Sequence, residues 1–69
     1  MDLITIQNRI KEIESKKGDD EVAHALEDEL LEEFVTAIKE GKYINRSTIM
    51  MCASEVLKVK DIDFARWTA

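Results

Sequence analysis

Sixty-nine residues with a formal charge of −5 bound the protein to one small domain and argue against a generic nucleic-acid binder, which would be basic. A lone cysteine, Cys52, excludes a disulfide within the chain and fits a reducing cytosol, so support must come from packing, a metal or a partner chain, and a hydrophobic fraction of 45% suits packing and oligomerisation. With no proline and two glycines, Gly18 and Gly41, long helices are favoured over strands, and no apolar run approaches the roughly 20 residues of a membrane span.

The first helix is predicted from about Leu3 to Lys16. Leu3, Ile6, Ile10 and Ile13 form one narrow stripe, suited to a single neighbour, with Ile4 off it. Lys16 and Lys17 suit the negative end of the helix dipole, and Gly18 is expected to take the left-handed conformation that closes a helix. The second helix follows at once, capped by Asp19 or Asp20 and running to Glu40, so the first two helices should form an antiparallel hairpin. Its apolar residues, Val22, Ala23, Leu26, Leu30, Leu31, Phe34, Val35, Ala37 and Ile38, cover more than half of the circumference. So broad an arc predicts a central helix, with the first helix on one flank and the third, or a second chain, on the other.

Gly41 should end that helix, and Lys42, Tyr43 and Ile44 form a link. Asn45, with Ser47 as the competing choice, caps a third helix. Its predicted apolar face holds Ile49, Met50, Cys52, Ala53, Val56 and Leu57, with Val59 at the edge and Met51 opposite. Asp61 is placed to cap one more helical turn, after which Ile62, Phe64 and Trp67 fold back over one end of the core. The expected fold is one all-α domain spanning residues 1–69: a helical hairpin, a third helix and a short C-terminal turn.

Charge is unevenly spread. Residues 19–40 carry nine acidic groups and one basic group, whereas the segments before and after are net positive. Asp28, Glu29, Glu32 and Glu33 give the second helix a negative outer surface. Such a surface keeps a protein soluble, and it also suits docking to a basic partner, mimicry of nucleic-acid phosphates, or self-association with the basic flanks.

The residues that could carry chemistry are few. Glu27 projects into the apolar arc, and His24 lies at its edge. With Glu21 they make a Glu-x-x-His pattern of the kind that supplies ligands in di-iron helical bundles. A metal site there would need further carboxylates from Glu55, Glu12 or a second copy. The structural alternative is that Glu27 pairs with His24, Arg46 or Arg66, since an unpaired buried carboxylate is costly. Glu29 and Glu32 match half of a magnesium-binding pattern of helical nucleotide pyrophosphatases, and its second half, Glu-x-x-Asp, does not follow. Cys52 lies on an apolar face and reads as buried and inert. Ser47 and Thr48 have no nearby histidine in sequence, and an Arg46-led helix-turn-helix is disfavoured by the acidic helix beside it. No cofactor is indicated.

The segments GDDEVAHALEDELLEEFVTAI (18–38) and DIDFARW (61–67) resemble small uncharacterised proteins of bacteriophages and prophages. The resemblance leaves the middle of the chain uncovered, and DFARW at residues 63–67 is its most specific part. It implies a bacterial cytoplasm and action by binding, and it carries over no catalytic residue. Together these observations lead to a non-enzymatic, homodimeric interaction protein that binds a host or phage protein through its acidic helical surface. A metal-binding bundle built on Glu21, His24 and Glu27 is the alternative.

Overall fold

The computed structural model describes residues 1–43 and 45–66. Three helices, α1 (Leu3–Ser15), α2 (Asp20–Lys39) and α3 (Arg46–Leu57), are followed by a 3-10 turn over Lys58–Asp61. The described residues contain no strand.

Each helix starts at a side-chain cap. Asp2 accepts from the Thr5 amide at 2.8 Å, Asp19 from Val22 at 3.3 Å, and Asn45 from Thr48 at 2.9 Å. The Thr5 hydrogen bonds hold the Asp2 carboxyl below its ordinary value. α2 ends in a Schellman motif. Gly41, at φ 69°, lets its own amide reach the Ile38 carbonyl and the Lys42 amide reach Ala37, both at 3.0 Å. Gly18 corrects the expectation placed on it, because its φ is not positive. The chain leaves α1 instead through a run of turns, Lys16 to Ile13, Lys17 to Glu14 and Asp19 to Lys16, which reverses it without a left-handed residue.

The core has two parts. At one end Ile13, Ala23 and Leu30 pack with Val59, Ile62 and Phe64. At the other Ile6, Phe34, Cys52 and Val56 pack together, and the Tyr43 ring stands edge-on to Phe34 at 5.8 Å. Met1 and Ile10 touch both parts and join them. Burial pushes the Tyr43 phenol above its ordinary pKa, with the neighbouring Cys52 adding to the effect.

α2 is not the central helix. All three helices touch one another, and α1 and α3 make the most extensive pairing. The buried face of α2 is a narrow seam of Ala23, Glu27, Leu30, Phe34 and Ala37. The outer members of its apolar arc, Val22, Val35 and Ile38, are exposed. The face of α3 also differs from expectation. Met50 and Leu57 are exposed, while Val59 is fully buried. Cys52, Val56 and Val59 follow one another at steps of four and three along the buried side, and Val59 lies in the 3-10 turn that runs on directly from α3. Asp61 ends this turn and accepts no capping hydrogen bond among the described residues. Ile62 and Phe64 fold back onto the core as expected. The expectations for Trp67 and Ile44 fall outside the described residues.

Candidate functional site

The repeat that forms the α2 seam places Glu27 among core side chains, and its exposure is 0%. A lone ionised carboxylate there would cost several kcal/mol or more. Arg66 meets it: Nε donates to both carboxylate oxygens, at 3.0 and 3.1 Å. Lys60 adds a second cation, its Nζ at 3.2 Å from Oε1. The rest of the Arg66 guanidinium is spent on the tail itself. Nη2 donates to the carbonyls of Val59 and Ile62, at 3.0 and 3.1 Å, and Nη1 donates to that of Phe64 at 3.2 Å. The guanidinium carbon also lies 3.9 Å from the centre of the Phe64 ring. A second tie fixes the same strap, because the Ala65 amide donates to Asp20 at 3.0 Å. Of the three partners considered for Glu27, the structure thus brings Arg66. Lys60 is a partner that the helical spacing does not single out, because it stands in the 3-10 turn that follows α3.

His24 stands beside this clasp. Its Nε2 lies 3.5 Å from Asp28 Oδ1, and its buried Nδ1 has no hydrogen-bond partner among the described residues. His24, Glu27 and Asp28 each offer a ligand atom within 4.8 Å of the others. Asp28, not Glu21, completes that group, and Glu21 is exposed. The carboxylates considered as further ligands are engaged elsewhere, Glu55 with Lys58 at 2.9 Å and Glu12 with Arg9 at 3.9 Å. A metal ion would meet Glu27 oxygens already facing two cations, so the donor set fits a metal poorly.

The acidic surface divides in two. Arg9 on α1 reaches across to α2, hydrogen-bonding Glu33 and lying 3.8 Å from Glu29. Those two glutamates, with Glu32 and Glu40, line an open groove together with Thr36, Ala37, Met1 and Lys42. Asp28 lies on the other flank of α2, beside His24. Glu32 makes no ion pair among the described residues. Cys52 is 1% exposed, inside the core part that contains Phe34. Thr48 is engaged by the cap of α3, its hydroxyl donating to Asn45 at 3.0 Å. No helix among the described residues is long and apolar enough to cross a membrane. Comparison of the chain with protein-family models, with curated proteins and with solved structures finds no match.

Proposed function

We propose that this chain is a non-enzymatic interaction protein, acting in the bacterial cytoplasm in a phage or prophage setting, that binds a host or phage protein. The observation that carries the reading is the groove along α2, where Glu29, Glu32, Glu33 and Glu40 stand together with Ala37 and Met1. Carboxylates of one sign around a partly apolar trough suit a basic segment of a partner protein. Arg9 and Lys42, at 3.8–3.9 Å from Glu29 and Glu40, act as internal stand-ins for such cations. Glu32 is the carboxylate most available to a partner. Asp28, on the far flank, contributes to the field and not to the groove.

The test is capture from bacterial lysate. The wild-type chain should recover a stoichiometric protein partner that salt releases, and the variant Glu29→Lys/Glu32→Lys/Glu33→Lys should not. Recovery of no partner, or equal recovery by the triple variant, would sink the reading.

The grouping of His24, Glu27 and Asp28 supports a second reading, a metal-binding bundle. It requires Arg66 and Lys60 to withdraw from Glu27. Adding iron, manganese or zinc to chelator-free protein should then raise the melting temperature with metal concentration. An unchanged melt, with no metal found in the purified protein, ends that reading.

A further inference from the structure

We propose that the exposed strip between α2 and α3 is a self-association face, on which a second copy of this chain docks about a two-fold axis with α2 against α2 in antiparallel orientation. The strip is distinct from the acidic groove and does not rest on it.

Its position follows from helix register. Leu31, Val35 and Ile38 follow one edge of α2, and Met50, Ala53 and Leu57 follow one edge of α3. The two edges converge at Leu31 and Ala53, which both pack on the buried cluster of Phe34, Cys52 and Val56. Lys60, in the 3-10 turn beyond Leu57, reaches Glu27, one helical step before Leu31. Along this shared border Val35 is 62% exposed, Ile38 40%, Met50 61% and Leu57 64%.

The area matches a small dimer. Four large apolar side chains at those exposures leave on the order of 400 Å² of apolar surface, the size at which a patch on a small protein tends to be functional. A two-fold contact buries the strip twice, about 800 Å², and the polar margin brings the total toward the roughly 1,200 Å² at the lower end of specific interfaces. A micromolar, concentration-dependent dimer is the expected consequence.

Charge selects a copy of the same chain as the occupant, and it selects the orientation. The margin of the strip on α2 carries Asp28 at one end and Lys39, the only basic residue of that helix, at the other. Lys39 makes no ion pair among the described residues, and the Asp28 side chain is 66% exposed. Antiparallel pairing about an axis between them sets Lys39 against Asp28 of the partner subunit, and the symmetry repeats the contact. The α3 edge carries Arg46 at one end and, past the other, Lys60 already paired with Glu27, so the self-complementarity belongs to the α2 margin.

Light scattering over about 1 µM to 1 mM tests this. The mass should rise from 7.9 kDa toward twice that value. Val35→Asp should hold it at the monomer with an unchanged circular dichroism spectrum, while Met51→Asp, exposed on the other edge of α3, should associate like wild type. Lys39→Asp should weaken association about tenfold, and Asp28→Lys/Lys39→Asp should restore it. A constant monomer mass overturns the proposal, as does equal association of the Val35 and Met51 variants. Failure of the double swap to rescue, with native spectra, overturns the antiparallel register. The groove triple variant should dimerise normally, so loss of partner capture and loss of the dimer are separable.

Discussion

Two arginines reach glutamates of α2, and they do different work. Arg66 meets Glu27 where the carboxylate is fully buried, and its guanidinium also bonds three carbonyls and lies over an aromatic face. Arg9 meets Glu29 and Glu33 on the surface, where those side chains are 59% and 44% exposed. Desolvation makes the first pair costly to split, since removing Arg66 leaves the buried carboxylate with Lys60 alone. Water makes the second optional. What an ion pair is for is thus read from its surroundings more than from its geometry, and only the exposed pair has carboxylates to offer another molecule.

The sharpest way to break this contrast is Arg66→Ala. It leaves Glu27 buried with Lys60 alone and should cost about 3 kcal/mol, the lower end for splitting a buried pair. For a domain of this size that lowers the thermal midpoint by on the order of 15 °C. A loss below about 1 kcal/mol in a denaturant melt would place the clasp in the same class as a surface pair. Next comes the double variant Glu27→Leu/Arg66→Met, which removes both charges together. It should recover at least half of that loss, because an apolar pair of similar volume avoids the stranded charge. If the double is as unstable as Arg66→Ala, the three carbonyls held by Arg66, and not Glu27, set the cost.

A smaller effect is expected at the second tie of the strap. Asp20→Ala removes the acceptor of the Ala65 amide and should cost about 1 kcal/mol. It should also speed amide exchange at Ala65 before the helices are affected. The smallest effect belongs to Arg9→Ala. Stability should change by less than about 1 kcal/mol, and less again at high salt. Freed of Arg9, Glu29 and Glu33 should bind a basic partner more tightly at low salt. A large loss of stability would erase the distinction between the two arginines.

What could be read in advance was local or periodic. The caps at Asp19 and Asn45 and the stop at Gly41 depend on a few neighbouring residues and on the backbone they permit. Glu27 stood out because it interrupts an apolar arc, a property of helical register alone. The choice of Arg66 over Arg46 is tertiary, since it depends on the strap folding back. The participation of Lys60 depends on the 3-10 turn that follows Leu57. The central position expected of α2 failed because the width of an apolar arc measures what would be buried given enough neighbours, and three short helices do not supply them. Val22, Val35 and Ile38 are the remainder, and the last two lie on the proposed strip. Gly18 misled because glycine permits a left-handed turn without requiring one.

The place of Arg66 in the chain has a consequence during synthesis. The ribosome delivers Glu27 early and its main counter-charge 39 residues later. A nascent or truncated chain ending at residue 65 would hold α1, α2 and α3 in full, yet keep a core carboxylate with one lysine for company. Such a chain has every helix but lacks the main partner of its buried carboxylate, so the helices are made before the contact that neutralises Glu27 is available.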